Sequence, residues 1–422
     1  MPSHAAAPKA EPRSRKPLPE GAQYAVAVLT AMNLLNYADR YIPSAIKSLY
    51  KKDLHLTDFQ TSVPLTAFVL VYVVASPVFG ALADRVERKK LIAIGVAAWS
   101  IATAAAAAAT GFVSFFIARA AVGIGEAAYA TLSPSVLSDF YPPQRRNRIL
   151  TFFYLAIPVG AAVGFTTGAW VGKSFGWRPA FLVAGIPGLL VAGLALKIKE
   201  PPRGYYDREK REHKGGWLKA LQAFRKNPNF VCATAGYTAV MFAGGAIADW
   251  FPTYLQRERG FELSTAGTIV GVVTVGCGIA GTAAGSYAAD KLVGKVSHPY
   301  LAFSGLAMIP ATACAALTLL IPGKAAAVVF LAVGQFFAWS YNGPINAMIV
   351  NSVPSPLRTR AISISVLLTH LFGDAISPSV VGFISDKDGG LRDAMWAAPV
   401  ALAIGTVIWL VSWRVLPETD HD

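Results

Sequence analysis

The feature that most constrains this 422-residue chain is a recurring apolar block of roughly 20 residues or more, long enough to cross a bilayer as a helix. Twelve such blocks occur, at approximately 22–46, 59–83, 91–110, 112–139, 148–172, 178–197, 230–255, 264–289, 299–321, 324–352, 360–385 and 393–416. Inside hydrocarbon every backbone N–H and C=O must find a partner within the protein, so a spanning segment is either a helix or a barrel strand. Barrel strands would show as alternating segments of about ten residues, and this pattern is missing from the sequence. Only 15% of residues are charged, against about 25% in a typical soluble protein, and 54% are hydrophobic. The expected class is an all-α polytopic membrane protein.

The net charge of +14 could suggest nucleic acid, but its distribution points to a lipid bilayer instead. With the N-terminus inside, 26 of the 38 Lys and Arg residues fall on that side, ten on the other and two, Arg40 and Arg119, within blocks. This bias follows the positive-inside rule and predicts a multi-pass protein of the cell membrane (the inner membrane in a bacterium) with both termini cytoplasmic. The first apolar run is too long for a cleaved signal and reads as a spanning helix after a tail at 1–21. Cys232, Cys277 and Cys314 have no metal-type spacing. No metal site, cofactor or nucleophile set is legible, so an enzyme is not expected.

A charge in hydrocarbon persists where it faces a bundle interior or a wet cavity. The fourth block carries Arg119 and Glu126, seven residues apart and so on one helical face, with small residues between them. The first block carries Asn36, Asp39 and Arg40. At 1.5 Å per residue, Asp39 lies about 25 Å from the start of its helix and Arg119 about 10 Å from the outer end of its own. Their depths match, so a charge pair is expected; the competing reading makes Asp39–Arg40 a helix cap. Asp249 falls near the outer end of the seventh block. In the eleventh, His370 and Asp374 share a face. His370 could titrate near neutral pH or be a neutral hydrogen-bonded core residue. In the fifth block, Pro158, Gly160 and Gly164 fit either a flexing helix or ordinary close packing.

The chain also repeats itself. YAADKLVGK at 287–295 echoes GALADRVERK at 80–89, aligning Asp290 with Asp84. VPSPLRTRAI at 353–362 echoes YPPQRRNRIL at 141–150, aligning Arg358 with Arg146. This predicts two six-helix halves, 22–198 and 229–417, with a substrate site between them. A polar linker at 199–228 contains an amphipathic segment, WLKALQAFRK, expected to lie on the cytoplasmic leaflet; a short tail follows at 418–422. The loop at 77–90, with Gly80, Asp84, Arg85, Arg88, Lys89 and Lys90, matches the signature loop of the major facilitator superfamily, except that Glu87 stands where glycine is usual. Gly80, Asp84, Arg85, Arg88 and Arg146, with Asp290 and Arg358, are the expected cytoplasmic gate.

Within that superfamily the sequence resembles the spinster family. The resemblance rests on NYADR at 36–40, PVFGALADR at 77–85, RAAVGIGEAAYATLSP at 119–134, FFYLAIPVG at 152–160 and HLFGDAISP at 370–378, and suggests a bacterial homologue. It implies the major facilitator fold of twelve helices, alternating access, and movement of lysolipids or sphingolipid-like amphiphiles. It also implies proton coupling at Asp39, Arg119 and Glu126, commonly in a monomer. The expected substrate contacts are Arg119, Glu126, Asn36, Tyr129, His370 and Asp374, facing an anionic, lipid-like solute. On this reading, protonating Asp39 weakens its hold on Arg119 and frees the outer ends of the halves. The alternatives are an antiporter of a small organic anion or drug, and a non-transporting membrane receptor.

Overall fold

The computed structural model describes residues 17–206, 217–354, 357–387 and 390–416. Residues 1–16 and 417–422 of the expected tails, and 207–216 of the linker, lie outside them. The first half contains α1 (Ala22–Ala45), α2 (Lys47–Asp53), α3 (Asp58–Leu82), α4 (Arg88–Ala106), α5 (Phe112–Phe140), α6 (Pro143–Phe175) and α7 (Trp177–Ala195). After the short α8 (Trp217–Arg225) come α9 (Pro228–Arg257), α10 (Leu263–Asp290), α11 (Pro299–Leu320), α12 (Lys324–Ser340) and α13 (Asn342–Asn351). The last part is α14 (Arg358–Thr369), a π-helical turn (His370–Asp374), α15 (Ser377–Lys387), α16 (Gly390–Ala394) and α17 (Ala397–Val415). Among the described residues, eleven helical stretches are long and apolar enough to cross a membrane. The first expected span, α1, has the length, 24 residues, but carries Asn33, Asn36, Asp39 and Arg40.

Local chemistry sets the boundaries. Thr57 and Gln60 form a reciprocal capping box at the start of α3. Asn227 accepts from the Phe230 N–H at 3.1 Å to open α9, with Pro228 in the first turn where its missing N–H costs nothing. α8 presses Phe224 against Phe230, ring centroids 4.9 Å apart, which ties the linker to the second half. A helix therefore occupies Trp217–Arg225 of that segment, with Phe224 buried against protein.

Within the first half, glycines let polar helices approach closely. α5 sits between α3 and α4: a Cβ on Gly123 would lie 2.4 Å from the Phe68 carbonyl, and one on Gly125 2.3 Å from the Gly95 carbonyl. Gly160 and Gly164 meet Leu34 and Ala38, so they pack α6 on α1 inside one half. The opposite seam is made by α10, whose Gly267 sits on Phe165 and Ala169 of α6. The halves also meet where α3 lies against α15 and α1 against α9.

The two ends of the molecule differ. The near end carries the start of α1 and the end of α17; the far end carries α2 and the start of α3. At the far end the halves are bonded together. Arg257 reaches Asp58 at 2.9 Å, the Ser385 hydroxyl donates to Asp58 at 2.7 Å, and the Thr66 hydroxyl donates to the Ala375 carbonyl at 2.6 Å. Every buried residue of α3 lies between Asp58 and Val69. From Leu70 to Leu82 none is buried, and Val74 and Val78 are 73% and 62% exposed. The halves are thus closed at the far end and parted at the near end.

The α1–α6 contact gives a direct test. A Cβ at Gly164 would fall 2.3 Å from the Ala38 carbonyl, whereas Gly193 has nothing within 4 Å. Gly164→Leu should cost about 1–3 kcal/mol through overpacking and lower the melting temperature in detergent, while Gly193→Leu should leave it unchanged. Equal effects would mean that the close approach is not what holds α6 on α1.

Candidate functional site

The site is built on one stripe of α1. Asn33, Asn36, Tyr37, Arg40, Ser44 and Lys47 follow spacings of three and four, so they share a face continued into α2. Asn33, Asn36, Tyr37 and Arg40 line a cavity of about 160 Å³ between the halves. Tyr72, Tyr129 and Tyr154 add aromatic wall from the first half, and His370 and Asp374 close it from the second. A cavity with a few convergent polar groups is typical of a ligand site.

Two ion pairs stand behind this wall. Arg119 meets Asp39 at 3.1 Å, and the Thr103 hydroxyl donates to the same carboxylate. Arg119 and Asp39 are 4% and 1% exposed. This is the pair expected from depth arithmetic, but it does not lie between the halves: α1, α4 and α5 belong to one bundle. Glu126 does not share a partner with Arg119. It binds Arg40 at 2.6 Å and is itself 1% exposed. Arg40 also lies over the rings of Tyr37 and Phe68, at 4.8 and 5.0 Å. Such cation–π contacts hold the guanidinium at the cavity edge.

The expected substrate residues therefore divide. Asn36, Tyr129, His370 and Asp374 are on the cavity wall, with the Tyr129 hydroxyl committed to the Leu29 carbonyl at 2.8 Å. Arg119 and Glu126 are not; they support the wall from inside the bundle. The cation on the wall is Arg40, to which the sequence reading gave no partner and a role only in the competing helix-cap reading. Its signal was available in the stripe from Asn33 to Lys47. His370 and Asp374 are joined at 2.9 Å across the π-helical turn, and such turns recur at functional sites. Asp249, expected near the far end, is there, and it is buried against Lys47.

At the near end, Arg88 is buried among carboxylates, with Asp139 at 2.7 Å and Glu200 at 2.5 Å. Asp84 pairs with Arg203 at 2.7 Å, and Arg146 donates to the carbonyls of Ser138 and Tyr141 at 2.8 and 3.0 Å. Gly80 is half-buried beside Thr131, and Arg85 is exposed. These bonds lie within the first half and its linker. Asp290 closes α10 and Arg358 opens α14, the places that Asp84 and Arg146 take in the first half; both are exposed. Outside the spanning segments, hydrogen bonds from Arg178 and Trp177 hold the Asp53 carboxyl below its usual range and fasten α2 to α7.

The Arg40–Glu126 pair can be tested by stability. Arg40→Met leaves the Glu126 carboxylate buried without its cation and should cost about 3–5 kcal/mol. Arg40→Met combined with Glu126→Leu removes both charges and should cost less than the single change. Thermal unfolding of the wild type, Arg40→Met, Glu126→Leu and the double variant in detergent decides it; a double variant as unstable as the two single changes summed would show that the pair is not coupled.

Comparison with known proteins identifies the architecture. The model of the Major Facilitator Superfamily matches residues 29–378. Protein spinster homolog 1 of Xenopus tropicalis is 33% identical over 399 residues, covering 86% of this chain and 72% of that protein. The human protein of the same name is 33% identical over 391 residues, with the same coverages. Among solved structures, a bacterial homologue of the human lysosomal transporter Spinster, inward-facing and unoccupied, superimposes with a TM-score of 0.83 at 22% identity, over 94% of this chain and 97% of that one. A D-xylose–proton symporter superimposes with a TM-score of 0.71 at 17% identity, over 95% and 99%. The chain belongs to the major facilitator superfamily and, within it, to the spinster family of membrane transporters, and it is not an enzyme.

Proposed function

We propose that this transporter moves a lipid-like amphiphile with an anionic head by alternating access, driven by protons that exchange at Glu126 and Asp39. The observation that carries the reading is Arg40, a cation on the cavity wall whose partner, Glu126, is buried behind it. A phosphate or carboxylate head entering the cavity competes with Glu126 for the guanidinium. Glu126 then loses its cation in a dry setting, where a carboxyl prefers its neutral form. Head binding and proton uptake are thereby linked through one arginine. Asp39 acts differently from the expectation drawn from the sequence. Its partner Arg119 is in the same half, so protonating it loosens α1 within its bundle and does not directly part the halves.

The cavity volume supports an amphiphile. About 160 Å³ holds a head group and little more. A tail would run from the cavity toward the parted near end. We place both termini in the cytoplasm of a cell-membrane protein, supported by the excess of Lys and Arg at the near end; on that orientation the conformation is inward-facing. A small organic anion could use the same Arg40 without a tail path, which makes it the second reading.

Purified protein in liposomes with an imposed pH gradient tests this. A fluorescent lysophospholipid should move with the gradient in the wild type, and Asp39→Asn and Glu126→Gln should abolish the gradient response. Arg40→Met should weaken lysophospholipid binding by roughly tenfold or more, the value of a lost charge-assisted bond. Movement indifferent to the gradient in all variants would remove proton coupling. Inhibition by small organic anions, with no lysophospholipid transport, would select the second reading.

A further inference from the structure

The polar stripe of α1 continues past the cavity to the far end, where it meets a second buried charge. Lys47 is 0% exposed and Asp249 is 4% exposed. They form an ion pair between α2 and α9, and so between the halves. The Ser44 hydroxyl donates to Asp249 at 2.9 Å, and Ser62 lies 3.3 Å from both Lys47 and Asp249. The Lys47 ammonium sits 3.7 Å from the centroid of the Trp250 ring. None of these groups lines the cavity. They are too far inside to be solvated, and their bonds are made across the seam that must open if the cavity is to face the other way.

We propose that Lys47 and Asp249 are a positioning pair for the transport reaction, a charge bolt whose closure fixes the cavity toward the near end. The inference rests on the alternating-access fold, and not on the identity of the substrate or on proton coupling. The bolt differs in kind from the two pairs behind the cavity. Asp39–Arg119 and Arg40–Glu126 lie within one half and can travel with it intact. Lys47–Asp249 cannot: parting the far end separates the two charges, and each must then be hydrated. In the closed form they hold each other, because a buried charge left without its partner is strongly unfavourable, whereas an apolar pair of similar volume in the same place can be as stable or more so. A second contact supports the same closure. The Asp386 carboxylate of α15 accepts from the backbone N–H groups of Asp58 and Phe59, both at 2.8 Å, and so caps α3 from the other half. Parting the halves would leave those helix-end donors to water.

The bolt makes a prediction that ordinary packing does not. Removing one charge should open the far end, and removing both should close it again. Spin labels at Lys52 and Lys324, exposed residues at the far ends of opposite halves, report the separation by pulsed electron spin resonance in liposomes, in a background without Cys232, Cys277 and Cys314. With Asp249→Asn, the population of the longer distance should rise about tenfold or more. With Lys47→Met and Asp249→Leu together it should return to the wild-type level or below, and transport should slow because the far end no longer opens readily. Asp39→Asn, which breaks a pair within one half, serves as the comparison and should not lengthen the distance as Asp249→Asn does. Should Asp249→Asn fail to fold, Ser44→Ala with Ser62→Ala removes hydroxyl support from Asp249 and should produce a smaller lengthening. An unchanged distance in the folded single-charge or serine variants would overturn the proposal. So would a double variant opened as far as Asp249→Asn, since the site would then be acting through shape alone. A failure of lysophospholipid transport in the wild type would touch only the substrate reading, because the distances are measured without substrate.

Discussion

Charge in a low-dielectric interior must be matched, and the way α1 matches its charges organises the rest of this transporter. The helix carries Asp39 and Arg40, and Lys47 follows just beyond its end. Each has a different partner, on two other helices: Arg119 on α5, Glu126 also on α5 but two turns away, and Asp249 on α9. Three ion pairs thereby fix the rotation and height of one helix relative to its own bundle and to the other half. An apolar helix of the same length would have no such register, because lipid tails and leucine side chains are interchangeable neighbours. The glycines of α5 and α6 serve the same end. They set how closely the helices of the bundle approach: Gly123 and Gly125 bring α5 onto α3 and α4, and Gly160 and Gly164 seat α6 on α1.

How much of this could be read in the sequence follows from the physics of each feature. Spanning helices are legible because the bilayer sets their length and hydrophobicity sets their location; only α1 falls short of the apolar standard, since four polar residues interrupt it. Asp39–Arg119 was legible because rise per residue places both at one depth. Arg40–Glu126 was not read. Adjacent residues on a helix point about 100° apart, so Asp39 and Arg40 face different neighbours, and a reading that paired Asp39 alone left the second direction without a partner. Lys47 was counted as a loop lysine for the same reason: its block ends beside it, and nothing local says that α9 of the other half will cover it. Depth can be computed from one chain, but azimuth across a helix–helix interface needs the packing.

The gate residues illustrate a different limit. Asp84 and Asp290 do occupy equivalent helix ends, and Arg146 and Arg358 equivalent helix starts, as the internal repeat implies. Equivalence under pseudo-symmetry is a property of the fold and survives any conformational change. Contact between the two sets is a property of one state. With the near end parted, Asp84 is held by Arg203 and Arg146 by the end of the preceding helix, α5, bonds that keep these groups paired while the opposite set is away. A sequence specifies both states at once, so it can align the two sets of residues without saying whether they meet in a given state.

The arrangement of pairs also explains how a binding event could reach the far end without a long chain of side-chain changes. Arg40 and Lys47 are seven residues apart, two helical turns or about 10 Å, on the same face. One looks into the cavity and the other into the seam. On the proposed reading, a head group that draws Arg40 away from Glu126 acts on the helix whose far end meets the Lys47–Asp249 pair. Because packed interiors do not deform continuously, the response open to such a helix is a small rigid tilt or shift. Any tilt that moves Lys47 relative to Asp249 weakens the pair most when the two are most deeply buried, since burial is what makes separation unfavourable. Coupling between cavity and far end therefore needs only two charges on one stiff helix, one answering to the ligand and one to the opposite half.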